Sequence, residues 1–473
     1  MDATKTLTLT SPARRVSLKE TILSILTLEN RRDPLRRDRP VLRCDVLNLS
    51  IEKMDLRLLG LGLVVLVVTP IRGSDLNQYA WNKITPHAEW SPRAGLQVVD
   101  LDSHFYLMGG RTPIDPNQVP VFGASEIWAD VWRSSNQGTT WEQIVATDAE
   151  NHWPARAYFQ AVRKGDEMFV LGGQNFNVID NPFPGGPPQI SVSDFFNDVW
   201  SSSDGVNWTQ LTANAGWEGR AGLSSVVYRD EIYVFGGSKN DDSAIIGPGG
   251  PPRIYFNDVW KSSNDGVDWE RVMEVAPWEP RAGAAVVVKD DYIYLLGGED
   301  GFTCDSGPRC PPYYNDVWRT QDGMNWEEVD NAAEWPARPG HQAVVVNDQI
   351  VVFGGFGLST DPMDPFKASN PIDMWSSQNG ADWQLLDQPP WNANSPEEIK
   401  YDFDALVAPA GPNGDDGIYS FGGDRETFNP FDPVNYLRVD NDVWTFATVP
   451  EPSSALLLMF GASLFGSLRK RSR

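Results

Sequence analysis

Five arginines recur at one spacing, each the fourth residue of a Trp-x-x-Arg segment: Arg93, Arg156, Arg220, Arg281 and Arg338. A guanidinium is a planar fork of donors that matches carboxylate or sulfate, so five of them drawn into a ring would form an anion-binding collar. The competing reading is that each arginine pairs with a carbonyl or an acid of the neighbouring repeat. A second recurrent group is the aspartate of Asn-Asp-Val-Trp, at Asp130, Asp198, Asp258, Asp316, Asp373 and Asp442. One copy per repeat points to structure rather than catalysis, because an aspartate beside a strand start readily accepts backbone N–H bonds. The four histidines, His87, His104, His152 and His341, are scattered across the repeats. Cys304 and Cys310 share one segment as C-x5-C, which in an exported protein reads as a local disulfide. A metal site would need more ligands than the one nearby candidate, Asp305. No catalytic residue, metal ligand or cofactor is singled out by these patterns.

The elements that position these residues follow from self-similarity, which decides an architecture before any local propensity does. Residues 257–269, NDVWKSSNDGVDW, return with small changes ending at Trp141, Trp208, Trp326 and Trp383, and a last copy stops at Trp444. Gly pairs mark the other half of each unit: Gly109 and Gly110, Gly172 and Gly173, Gly236 and Gly237, Gly297 and Gly298, Gly354 and Gly355, Gly422 and Gly423. Each unit reads as four short strands. An apolar strand follows the arginine, a second ends at the Gly pair, a third holds Asp-Val-Trp, and a fourth follows a tight Gly turn. Four-stranded units repeated about a centre make a β-propeller, in which neighbouring sheets bury each other's faces.

The Gly pair with its downstream Trp resembles the kelch repeat family over residues 75–447, and the resemblance implies an all-β, six-bladed kelch-type propeller. Third-strand tryptophans are Trp132, Trp200, Trp260, Trp318, Trp375 and Trp444. Five fourth-strand tryptophans follow the Gly turns, and the sixth copy has none. Trp81, at the other end of the domain, supplies it, so the N-terminal strand is expected to complete the last blade and close the ring. With six loop tryptophans (Trp90, Trp153, Trp217, Trp278, Trp335, Trp391), only Trp128 of the 19 is left over. In an up-and-down blade the loop between strands two and three leaves from the same face as the loop between blades. The long Pro/Gly loops and the Trp-x-x-Arg segments should therefore share one rim, and binding is expected there. The sixth repeat lacks the arginine: Trp391 is followed by residues 392–400 without one.

Other resemblances bear on chemistry. Ser-x-Asn-x-Gly-x-x-Trp (Ser134 to Trp141, Ser262 to Trp269) is similar to the Asp-box of sialidases, a structural hairpin remote from catalysis in that family. Galactose oxidase shares the kelch propeller, but its copper chemistry needs two Tyr, two His and a Cys cross-linked to Tyr, which four scattered histidines and one local cysteine pair do not supply. Sugar-acid epimerases also occur on kelch scaffolds, and fold analogy alone does not assign that activity.

The ends differ from the repeats. Residues 1–53 are Arg-rich and unrepeated, and are read as an extension preceding the true start at Met54. Residues 54–73, with the apolar run 58–68, read as a secretory signal peptide, and 74–448 as the propeller. Residues 449–473 hold Pro450, Glu451 and Pro452, an apolar run at 455–468 and a basic end. That order resembles the PEP-CTERM sorting signal, which implies an exosortase-type processing enzyme as partner. The apolar run is short for a spanning helix, which takes about 20 residues, and fits transient membrane insertion or a short anchor with its basic end inside. The formal net charge is −25, although residues 1–53 and the tail are net basic, so the propeller is strongly acidic. Phosphate recognition needs a basic face, which argues against nucleic acid. The expectation is an exported, monomeric binding or scaffold protein of the bacterial cell envelope or exterior, taking a polysaccharide or protein. The alternative is a secreted carbohydrate-active enzyme: a sugar-acid epimerase, a sialidase-like enzyme or an oxidase.

Overall fold

The computed structural model describes residues 75–449, apart from 116, 120, 122–123, 183–187, 241–251, 302–311, 358–372, 387–388, 390, 392–399, 411–413 and 426–436. Six antiparallel four-stranded sheets account for nearly all of it. Their innermost strands are Gln97–Leu101, Gln160–Lys164, Ser224–Tyr228, Ala285–Lys289, His341–Val346 and Asp404–Pro409. Consecutive inner strands touch all the way round, and Gln97–Leu101 meets both its successor and Asp404–Pro409, so the ring is closed.

Closure comes from the N-terminal strand. Tyr79–Thr85 lies against Val439–Thr448, which pairs with Asp416–Asp424 and through it with Asp404–Pro409. The register places Trp81 opposite Phe446 and Lys83 opposite Trp444. Each loop tryptophan packs its edge or face against the fourth-strand tryptophan of the blade it introduces, with centroids 6.3 Å apart for Trp90–Trp141 and 6.0 Å for Trp153–Trp208. Trp391 and Trp81 make the same contact at 4.8 Å, so Trp81 fills the sixth fourth-strand place. In four blades the asparagine of Asn-Asp-Val-Trp (Asn197, Asn257, Asn315, Asn441) ties the blade to the next. Asn257 donates to the carbonyls of Ala276 and Trp278, and Asn441 donates to those of Ala88 and Trp90 across the closing seam.

The Gly pairs are required by close approach. Gly110 has φ 102°, and a Cβ there would stand 2.9 Å from the Ala94 carbonyl oxygen. Its N–H donates to the Arg156 carbonyl of the following blade at 2.9 Å. The Gly turns before the fourth strands are held by hydroxyls: Ser134, Ser202, Ser262, Thr320 and Ser377 each accept the turn glycine's N–H. Two of the long loops carry small ribbons of their own, Asn177–Asp180 with Gln189–Val192 and Ser238–Lys239 with Ile254–Tyr255. The expected disulfide, signal segment, sorting motif and apolar run at 455–468 lie outside the described residues. Among the described residues no helix is long and apolar enough to cross a membrane.

Candidate functional site

The five repeated arginines stand at the start of the inner strands, and their side chains are 0–1% exposed. Each guanidinium is already engaged. Arg93 donates to both carboxylate oxygens of Asp130 at 2.5 and 3.0 Å and to the Gly109 carbonyl at 3.0 Å. Arg156 with Asp198, Arg220 with Asp258 and Arg281 with Asp316 repeat the fork, while Arg338 reaches Asp373 through one nitrogen. These acids belong to the arginine's own blade. That corrects the expectation of a partner in the neighbouring one, and it follows from the second and third strands pairing beside the inner strand of the same sheet. Four of these carboxylates, all but Asp373, accept the indole N–H of the third-strand tryptophan two residues on, as Asp130 does from Trp132 at 2.7 Å. Burial lowers the pKa of Arg156 and Arg338, and their aspartate partners oppose that shift. A collar so neutralised from within has little left for an anion.

The sixth blade keeps the ring with a different cation. Lys400, 1% exposed, donates to Asp442 at 2.6 Å, and its carbonyl accepts the Gly355 N–H as the arginines' carbonyls accept those of other blades. Burial lowers the Lys400 pKa, and Lys400 in turn holds Asp442 down against its own burial. The unassigned Trp128 also finds a place: it lies over Arg93 at 4.7 Å, as Phe196, Phe256 and Tyr314 lie over the next three arginines.

Two residues beyond each cation the six chains meet at the channel mouth on the long-loop face. The residues there are Gly95, Tyr158, Gly222, Gly283, Gly340 and Asp402, all at φ between 49° and 61°. They are linked in sequence by backbone bonds. Asp402 N–H donates to Gly340, Gly95 to Asp402, Tyr158 to Gly95, Gly222 to Tyr158 and Gly283 to Gly222, at 2.8–3.0 Å. This is left-handed backbone, which glycine adopts freely and other residues at a cost. Tyr158 and Asp402 hold it nonetheless, and such outliers gather at functional sites.

Their side chains break the six-fold symmetry. The Tyr158 ring lies over Gly95, 3.0 Å from where a Cβ would stand, and its hydroxyl accepts the Arg111 Nε–H at 2.6 Å. Arg111 also donates to Asp424 of the last blade. Tyr158 lies beside Asp402 and holds its carboxyl down against burial, and the Asp402 Oδ1 leans over Gly340. The result is a chain of polar groups, Asp424 to Arg111 to Tyr158 to Asp402, spanning blades six, one and two. Blades three to five face it with glycines across a cavity of about 140 Å³. Burial, with help from Asp424, pushes Asp402 up to about 7, and burial pushes Tyr158 up as well. Below the mouth, Asp404 accepts N–H bonds from Val98 and Ala405 and is pushed by burial to about 7. His341 lies behind Gly340 against Trp335, and burial lowers it to about 3, so it is neutral. Among the described residues no group of three or more His, Cys, Asp or Glu could hold a metal ion.

Sequence reasoning passed over Arg111, Tyr158, Asp402 and Asp424. The signal was present: Arg-Ala-Gly in three repeats becomes Arg-Ala-Tyr at Tyr158 and Lys-Tyr-Asp at Asp402.

Comparison with known proteins agrees with this architecture. Residues 183–355 match the KLHDC2/KLHL20/DRC7 kelch-repeats domain, and residues 448–472 match the PEP-CTERM protein-sorting motif. The chain is 24% identical over 243 residues to an N-acetylneuraminate epimerase of Shigella flexneri, covering 47% of this chain and 64% of that one. It is 22% identical over 350 residues to the leucine-zipper-like transcriptional regulator 1 homolog of Drosophila melanogaster, covering 73% and 31%. A flagellar outer-arm dynein alpha chain of Chlamydomonas reinhardtii is 26% identical over 242 residues, 49% of this chain and 5% of the dynein. The chain thus spans less than two thirds of each of these relatives. The solved structure of YjhT superimposes with a TM-score of 0.52 at 16% identity, covering 76% of this chain and 96% of that one. The sorting motif implies bacterial export to the cell envelope and processing by an exosortase. Repeats, closed ring and family matches together identify this chain as a kelch-repeat β-propeller bearing a C-terminal PEP-CTERM sorting motif.

Proposed function

We propose that this protein is a binding module of the cell envelope or exterior, taking a polysaccharide or protein ligand at the channel mouth on its long-loop face. The observation that carries the reading is the break in symmetry there: Tyr158 and Asp402 hold strained backbone beside a cavity while four other blades keep glycine. In this reading residues 1–53 precede the true start, 54–73 direct export, 74–448 form a monomeric propeller, and 449–473 are a sorting segment whose apolar run enters the membrane transiently or as an anchor. The five arginines are assigned to holding the blades, with ligand contact passing to the mouth residues.

One observation favours a second reading, sugar-acid epimerisation. Asp402 near 7 can carry or release a proton at neutral pH, as a general acid–base group must, and the curated relatives include N-acetylneuraminate epimerases. A glycan array probed with the purified exported chain, followed by product analysis of each bound glycan, separates the two. Binding that Tyr158→Ala abolishes, with ligand recovered unchanged, supports the module. Conversion of any ligand overturns it in favour of the enzyme.

A further inference from the structure

The mouth holds one carboxylate that makes no ion pair among the described residues. The ring cations are matched by their own aspartates, Arg111 is matched by Asp424, and Asp404 is satisfied by two backbone N–H groups. Among the described residues Asp402 feels the Arg111 charge without pairing with it and has the Tyr158 hydroxyl beside it, and its Oδ1 lies over Gly340 in the glycine sector. We propose, resting on the binding reading above, that the ligand group taken at the mouth is a primary ammonium, docked on the Asp402 carboxylate beside Gly340 and Gly283.

Charge decides against the other classes. An anion would meet Asp402 and Asp404, which line the cavity, while the nearby Arg111 guanidinium is already committed to Asp424 and Tyr158. A neutral hydroxyl would add a hydrogen bond and leave the partly desolvated carboxylate uncompensated. An ammonium supplies three donors and the missing positive charge. The acidic propeller concentrates cations near this opening before contact. Size narrows the group further: about 140 Å³ is below the range that encloses a drug-sized molecule. It accepts the end of a side branch, while the polymer that carries it lies across the rim. Free amines of this kind occur on de-acetylated amino sugars and on lysine side chains.

Calorimetric titration of the full exported chain tests this with paired probes: a glucosamine trimer against its N-acetylated form, and a lysine tripeptide against its Nζ-acetylated form. In one pair the amine should bind roughly 10- to 100-fold more tightly than its acetylated partner, the range expected for a hydrogen bond to a charged group. The pair that shows the difference identifies the source. Asp402→Asn should bring that ratio close to one, and so should Asp402→Gly, which four blades show to be compatible with this backbone. Equal affinities within both pairs, no binding by either pair, or a ratio that survives both substitutions overturns the ammonium assignment. If the glycan array has meanwhile found a ligand indifferent to Asp402, the binding reading stands without it. If the array finds none, both fall.

Discussion

Asp404 offers the sharpest test of the electrostatics at the channel. It lies in the inner strand of the sixth blade, 8% exposed, and accepts the Val98 N–H at 2.6 Å and the Ala405 N–H at 2.9 Å. Burial pushes it from an ordinary 3.8 up to about 7 against the pull of those two donors. Between these values the folded chain holds a proton that the unfolded chain has released. Stability therefore falls as pH rises from about 4 to about 7 and levels off above. For one such group the loss between pH 5 and pH 8 is about 2 to 3 kcal/mol. Asp404→Asn cannot titrate. Any cost of its amide facing a backbone N–H is the same at both pH values and cancels. Urea unfolding followed by tryptophan fluorescence at pH 5 and pH 8 should show the variant gaining about 2 to 3 kcal/mol on the native protein at the higher pH. Asp402 adds its own decline to both proteins, so the quantity to read is the difference between them. Equal pH dependence in variant and native protein would refute the claim that burial governs this carboxylate.

Three further outcomes follow from the contacts described. Arg156→Leu leaves the charge of Asp198 and the Gly172 carbonyl unanswered in a buried site and should cost about 3 to 5 kcal/mol by chemical denaturation. Arg156→Lys should recover part of it, because Lys400 performs that role in the sixth blade. Trp81→Ala removes the packing on Trp391, Phe353 and Phe446 and should cost about 3 to 5 kcal/mol. Deleting the whole strand should bare the edge of Val439–Thr448 and produce aggregation, read by light scattering. Glu451→Ala should leave the C-terminal sorting segment on the exported protein, seen as intact mass by mass spectrometry.

Much of this molecule was legible because its repeats are redundant. Six Gly pairs and a full set of tryptophans fixed the number of blades, and the absence of a tryptophan after Trp444 located the closing strand at Trp81. The partner of each arginine was not legible, because spacing alone does not say whether a strand's neighbour lies in its own sheet or the next. Lys400 escaped notice for two reasons: the cation changed type, and extra residues after Trp391 broke the Trp-x-x-Arg spacing. The mouth was missed because it is defined by departures. Tyr158 and Asp402 stand out only once each repeat is aligned at the residue two beyond its cation, where left-handed backbone makes glycine the expected occupant. Trp128 likewise made sense only when its ring was found over Arg93, in the role that Phe196, Phe256 and Tyr314 take elsewhere.

The backbone bonds that join Asp402, Gly95, Tyr158, Gly222 and Gly283 run around the opening rather than along its axis. Peptide dipoles laid tangentially in a circle largely cancel at the centre, unlike the parallel array that charges the end of a helix. The scaffold therefore brings almost no field of its own to the pore. The polarity a visitor meets there is written by side chains, Tyr158 and Asp402 at the mouth and Gln97, Gln160, Gln342 and Asp404 below it, and substitutions at the two mouth positions can retune it without disturbing the wheel beneath.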